Sequence, residues 1–384
     1  MGKDASAPML SVVVPVYRVE AHLAACLDSI LAEADDRVEV VPVNDGSPDR
    51  SGEILEAYAR RDPRVRVVHL PANTGLGQAR NAGLDHATGA YVWFVDGDDT
   101  LPPGSLPAVV ERLAKTQPDV LVIDHAEVFD DGRIVRAQPD GPLREVPEPI
   151  RLSQRPELLR AAQSACTKIV RRDFLDEIKL RFAPGWYEDS SFSHPLLIAA
   201  RRIDVLDRVC YYYHQRHAAG ITKTVSERHF EVFDQYRRLF DALVTSDPGS
   251  SRFRPHLFRL MIDHYLVIIG NDYRVPRHRR REFFRRMAAD YRARLPEGGY
   301  DVPTGAARLK HWLVRHGAYR TYAVLRRGHR LLRRLLNASG RDRWRRAHAA
   351  TAAVPRQRSG RRTGPGSRNG RSAPARKRSA APPR

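Results

Sequence analysis

Short apolar runs alternate with amphipathic stretches over the first 125 residues. Leu10–Val16 (LSVVVPV) is continuous and rich in β-branched side chains, the pattern of a strand buried on both faces. Leu23, Leu27, Ile30 and Leu31 then recur at helical spacing, which predicts a helix over about Glu20–Ala34. Val38–Val43 reads as a second strand, closed by the turn cluster Asn44-Asp45-Gly46-Ser47-Pro48-Asp49 and followed by a helix carrying Ile54, Leu55 and Tyr58. Val65–Leu70, a helix from about Gly77 to His86, Tyr91–Val95, a helix over Ser105–Lys115 and Val120–Ile123 continue the alternation. Strand following helix at this pace predicts an α/β fold, a mostly parallel sheet with helices on both faces. Ligands of such sheets bind beyond the carboxyl ends of the strands. The polar clusters fall there: Tyr17, Asp45, Asn73, and Asp96-Gly97-Asp98-Asp99.

The rest of the chain is less regular. Phe129–Val135, with Asp130-Asp131-Gly132 inside, predicts a hairpin, and Pro139–Pro149 a loop. Cys166–Phe174 is apolar again, Asp189–Ala200 has a helical pattern, and Val205–Tyr213 reads as a strand. Residues 226–340 are helix-like and Arg-rich, with Phe230, Phe233, Tyr236, Leu239 and Phe240 at helical spacing. From Arg341 the composition turns to Arg, Ser, Gly, Pro and Ala, which predicts a disordered tail over 341–384. The expected organisation is 1–125, 126–225, 226–340 and 341–384.

Composition changes the picture mainly through charge. The net +20 is uneven: residues 1–270 hold 33 basic and 39 acidic side chains, whereas 271–340 hold 18 and 5, and 341–384 hold 14 and 1. The body is mildly acidic and the basic character is an appendage. Three cysteines, Cys26, Cys166 and Cys210, exclude a disulfide framework and suit a reducing cytoplasm. No apolar stretch approaches the ~18 residues of a membrane span. These features predict a soluble, cytoplasmic chain.

Chemistry concentrates at the strand ends. Asp96, Asp98 and Asp99 place three carboxylates in four residues. Crowded carboxylates repel, and a hard divalent cation, Mg²⁺ or Mn²⁺, relieves them, with substrate phosphates completing its shell. Asp45 sits in a turn that its neighbours would favour anyway, but a carboxylate there could also accept the imide N–H of a uracil. Tyr17 could stack on a base or pack. Arg80 is either a surface charge or a clamp on pyrophosphate or base. Glu188-Asp189 is either a helix start favoured by the dipole or a proton acceptor.

The ordered blocks Ser11–Tyr17, Val43–Ser47, Asn73–Gly75, Ala79-Arg-Asn81 with Gly83, and Phe94–Asp99 resemble family 2 glycosyltransferases. Cys166–Leu175, Trp186–Asp189, Tyr211–Arg216 and Gly220–Thr222 extend the resemblance to about residue 225, with Gly220 where that family commonly has Ser. It implies a GT-A fold (Rossmann-like) and inverting transfer of a sugar from a nucleotide donor, UDP-linked by expectation, to a glycan, glycolipid or envelope polymer. The donor half would be 1–125 and the acceptor half 126–225. Pro15, Tyr17, Glu20, Asp45 and Arg80 would hold the nucleoside and Asp96 the ribose. Asp98 and Asp99 would ligate the metal, and Asp189, beside Glu188, would be the general base. Lys168, His214 and His217 are expected to be structural.

Two other classes compete. A nucleotidyltransferase also uses strand-end carboxylates and a metal, but would usually need a Gly-rich phosphate-cradling loop near the first strand, and none follows Tyr17. A nucleic-acid-binding protein with a structural α/β domain conflicts with the acidic body, so specific nucleic-acid binding is not expected. The basic tail reads as a solvated polyelectrolyte, as an attachment to the anionic inner face of the plasma membrane at about 1 kcal/mol per basic residue near the surface, or as a nucleic-acid-binding segment. A helix over Ala306–Leu336 could lie on that membrane or pack on the body.

Overall fold

The computed structural model describes residues 7–137, 143–144, 146–160, 163–215, 220, 223–245 and 248–330. The chain divides into two units, Met1–Val324 and Leu325–Arg384. The fold below belongs to the first; residues 325–330 of the second are helical. The tail expected over 341–384 lies outside the described residues, as do Arg216, His217, Ile221 and Thr222.

The alternation read from the sequence is present. β1 (Leu10–Val16), α1 (Leu23–Leu31), β2 (Val38–Asp45), α2 (Ser51–Arg61), β3 (Val68–Leu70), α3 (Leu76–His86), β4 (Tyr91–Phe94) and α4 (Ser105–Thr116) follow one another. β1 pairs in parallel with β2 and β4, and β2 with β3. Every residue of β1 is buried, as a central strand covered on both faces requires. Val12, Val14 and Val16 belong to one core with Leu23, Leu27 and Ile30 of α1 and Leu55 of α2. Val13 belongs to the opposite core, with Ala79 and Leu84 of α3. A Cβ at Gly83 would collide with Val13 Cγ1, so glycine is what lets α3 lie this close to the sheet.

Beyond β4 the sheet is mixed. β5 (Val120–Phe129) is longer than the expected Val120–Ile123, because it also forms the first arm of the hairpin with β6 (Ile134–Arg136). β7 (Lys168–Arg171) lies between β4 and β5, antiparallel to both. The apolar segment Cys166–Phe174 therefore divides between β7 and α5 (Arg172–Glu177). β8 (Ile203–Gln215), which follows α6 (Glu188–Ala199), runs parallel to β5.

The Arg-rich region folds as α7 (Glu231–Thr245), α8 (Arg254–Gly270), α9 (Arg280–Arg294) and α10 (Gly305–Arg315). The single helix expected over 306–336 is broken: α10 stops at Arg315, Gly317 adopts φ +63°, and a second helical stretch covers 319–330. Residues 331–336 lie outside the described ones. Phe233, Tyr236 and Phe240 of α7, Phe258 of α8 and Phe283 of α9 share one core with Phe94 and Phe192. Each such burial contributes roughly 2 kcal/mol, so these helices are part of the body rather than an attached module.

Candidate active site

The carboxyl ends of β1, β2 and β4 and the start of α6 open onto one cleft of about 1030 Å³. All ten residues singled out in the sequence line it: Pro15, Tyr17, Glu20, Asp45, Arg80, Asp96, Asp98, Asp99, Glu188 and Asp189. They do not play equivalent structural parts.

On one wall, Pro15 is the buried penultimate residue of β1 and Tyr17 follows it, 39% exposed. The chain then turns through Arg18 at φ +56°, whose N–H donates to Ser47 Oγ at 2.6 Å. Glu20 N–H donates to Asp49 Oδ2 at 3.2 Å, and Glu20 Oε2 accepts from Arg50 N at 2.8 Å. Glu20 thus ties the loop after β1 to the start of α2.

Asp45 is 2% exposed and its carboxylate is saturated. Oδ1 accepts from Thr74 N at 2.7 Å and Thr74 Oγ1 at 2.8 Å; Oδ2 accepts from Asn73 Nδ2 and Gly75 N, both at 2.9 Å. Four bonds fill the four lone-pair sites of a carboxylate. In this arrangement Asp45 fastens the loop before α3 while lining the cleft.

Arg80 is buried, not a surface charge. At 1% exposure it joins the two sides of the cleft: Nη2 donates to Asp96 Oδ1 at 2.8 Å, and Nη1 donates to Glu188 Oε1 and Asp189 Oδ1, each at 2.9 Å. The Phe182 ring, 5.3 Å from the guanidinium, helps to shield it from water. Burial pushes the Asp189 carboxyl up, and the Arg80 charge opposes that push. Burial, with the Asp189 charge adding, pushes Glu188 up to about 7. The pair begins α6, as the dipole reading allows, and also faces the cleft.

The acidic run after β4 splits. Asp96 and Asp98 are half-buried at the cleft. Asp99 turns inward at 1% exposure, where Oδ2 accepts from Tyr211 Oη at 2.6 Å and Oδ1 from His214 N at 2.9 Å. Burial, then the charges of Asp98 and Asp96, push its carboxyl up to about 8. Both Asp99 oxygens therefore anchor β8, which leaves Asp98 as the more open carboxylate. Lys168 is buried and bonds Ser164 O at 2.9 Å and Thr167 Oγ1 at 3.0 Å; burial pushes its ammonium down to about 8. His214 Nε2 pairs with Thr100 Oγ1 at 2.9 Å.

Sequence reasoning missed the support of the Glu188-Asp189 pair. The preceding loop, 184–187, is gripped by the helical region. Glu231 Oε2 accepts from Trp186 N at 2.6 Å, Gln235 Nε2 donates to Pro184 O at 3.0 Å, and Tyr187 Oη pairs with His229 Nδ1 at 2.6 Å. Gly185 has φ +104°, and a Cβ there would sit 2.8 Å from Glu231 Oε2. The Arg228 guanidinium lies 4.8 Å from the Trp186 ring on the cleft wall. The glycine before Trp186 was the available signal; Glu231, which bonds Trp186 N, lies 45 residues downstream of that tryptophan.

Comparison with known proteins agrees with this architecture. Residues 11–179 match the model of glycosyl transferase family 2. The uncharacterized glycosyltransferase EpsJ of Bacillus subtilis is 34% identical over 222 residues, which cover 54% of this chain and 61% of EpsJ. GgaB of the same organism, a minor teichoic acid biosynthesis protein, is 32% identical over 125 residues, 32% of this chain and 14% of GgaB. The crystal structure of S. aureus TarS 1-349 in complex with UDP-GlcNAc superposes with a TM-score of 0.67 at 24% identity, over 84% of this chain and 91% of that one. Residues 11–179 therefore match a glycosyl transferase family 2 domain, and the fold is of the GT-A type.

Proposed function

We propose that the cleft transfers a sugar, with inversion, from a UDP-linked donor to a hydroxyl of a glycan, glycolipid or cell-envelope polymer. The observation that carries this reading is the convergence of donor-side and base-side residues on one cleft, joined through Arg80. TarS was crystallised with UDP and with UDP-GlcNAc, and GgaB is a teichoic acid biosynthesis protein; both support the donor and acceptor classes.

The donor occupies the side walled by Pro15, Tyr17, Glu20 and Asp96, with Tyr17 free to stack on the base and Asp45 acting through the Asn73–Gly75 loop. Asp189 accepts the proton of the acceptor hydroxyl. The acceptor oxygen bonds to the anomeric carbon, the bond from that carbon to the diphosphate oxygen breaks, and UDP departs. A positioned general base contributes about 10²–10⁴-fold. Arg80 keeps the Asp189 carboxylate oriented and favours its ionised form.

The donor set fits a divalent cation. Burial first, and then the charges of Asp98 and Asp96, push Asp99 up, and a cation beside Asp98 would relieve the part that those charges cause. Among the described residues no group of three or more His, Cys, Asp or Glu is arranged to hold a metal alone. Asp98, with Asp99 behind it, would hold Mg²⁺ or Mn²⁺ together with donor phosphates. Such an ion supplies charge stabilisation to the leaving diphosphate.

The test is a donor-hydrolysis screen over UDP-, dTDP- and GDP-sugars with Mn²⁺. Release of UDP, abolished by Asp98→Ala in a folded protein, is the expected result. No nucleotide release from any donor would overturn the reading.

A further inference from the structure

Helix α10 has two unlike faces. His311, Leu313 and Val314 are buried, whereas Leu309 is 46% and Trp312 53% exposed. At about 100° per residue, Gly305, Leu309, Trp312 and His316 form one outward ridge. The Trp312 and His316 rings lie 4.3 Å apart on it. Arg308 and Arg315 are exposed along its flank.

Charge selects what this ridge meets. Within the first unit, from Val302 to Val324, the chain carries four Lys or Arg and no Asp or Glu. A second copy of the chain would set the same positive surface against itself. An anionic bilayer complements both properties: its headgroups attract arginine, and its interfacial layer takes up tryptophan and leucine. Among the described residues no helix is long and apolar enough to cross a membrane, so contact through this ridge would be peripheral.

We propose that the outer face of α10, centred on Leu309 and Trp312, docks on an anionic lipid bilayer. The inference is independent of the chemistry in the cleft.

The experiment is co-sedimentation of the full chain with vesicles of mixed phosphatidylglycerol and phosphatidylcholine, and with phosphatidylcholine alone. The chain is expected to pellet with the anionic vesicles only. The doubly substituted Leu309→Ser, Trp312→Ser chain is expected to partition about tenfold less, with its circular dichroism unchanged. Arg308→Glu with Arg315→Glu, at exposed positions that folding tolerates, is expected to weaken binding in the same way. The proposal is overturned if the wild-type chain does not pellet, or if the Leu309/Trp312 variant pellets as the wild type does, which would place all binding in basic residues elsewhere. It is also overturned if light scattering without lipid shows a wild-type dimer that this variant converts to a monomer, since the ridge would then be a self-association surface.

Discussion

Arg80 Nη1 donates to Asp189 Oδ1 at 2.9 Å across 109 residues of sequence. The same guanidinium holds Asp96 through Nη2, so the end of β4 and the start of α6 share one buried cation. This bond makes the two sides of the cleft a single assembly.

Replacing Arg80 tests that assembly. Arg80→Met leaves three carboxylates without their cation and is expected to cost about 3 kcal/mol in urea unfolding, the scale of a broken buried ion pair. Arg80→Lys keeps a charge but cannot span three partners with a planar fork. It is expected to retain the fold and to lose about 100-fold in kcat. Wild-type kcat in Arg80→Lys would show that the geometry at Asp189 does not depend on this residue.

The helical region bears on the same pair. Glu231→Ala releases Trp186 N and Arg228 together. The expected outcome is a fall in kcat of about tenfold or more, with donor affinity by calorimetry within about twofold of wild type. Loss of donor affinity with kcat intact would instead put the 184–187 loop on the donor side.

Asp99 gives a pH signature. Burial and the charges of Asp98 and Asp96 push its carboxyl up to about 8, against about 4 in an unfolded chain. The folded protein then keeps a proton that the unfolded chain releases. The stability contributed by this group is complete below about pH 4 and is lost as pH rises toward 8. Glu188 adds a dependence of the same sign, from burial and the Asp189 charge. In metal-free buffer, Tm between about pH 6 and about pH 9 is expected to fall more steeply for wild type than for Asp99→Asn, and Mn²⁺ is expected to flatten the wild-type slope. Equal slopes with and without Mn²⁺ would argue against a cation beside Asp98.

The sequence made residues 1–125 legible because the signals there are local. The strand of Leu10–Val16 and the polar ends at Tyr17, Asp45 and Asp96 follow from runs of a few residues, and the parallel pairing of β1 with β2 and β4, and of β2 with β3, fits the alternation. What stayed hidden depends on distant partners. Lys168–Arg171 is too short for its pattern to show that it reverses direction between β4 and β5. Asp98 and Asp99 are neighbours in sequence, and only Tyr211 and His214 of β8 decide that Asp99 points inward. Arg80 resembled a surface or clamping charge until Asp96, Glu188 and Asp189 surrounded it. The role of α7 had no local signal beyond Gly185, since Glu231 and Gln235 read as ordinary polar positions on an amphipathic helix.

The most direct test of the account is Asp189→Asn, with UDP-sugar binding measured by calorimetry and sugar transfer measured on the same preparation. The amide preserves the shape of the side chain but is no longer a base. The account predicts donor affinity within about twofold of wild type and transfer reduced by about 10²–10⁴-fold. Transfer at the wild-type rate with binding intact would contradict it.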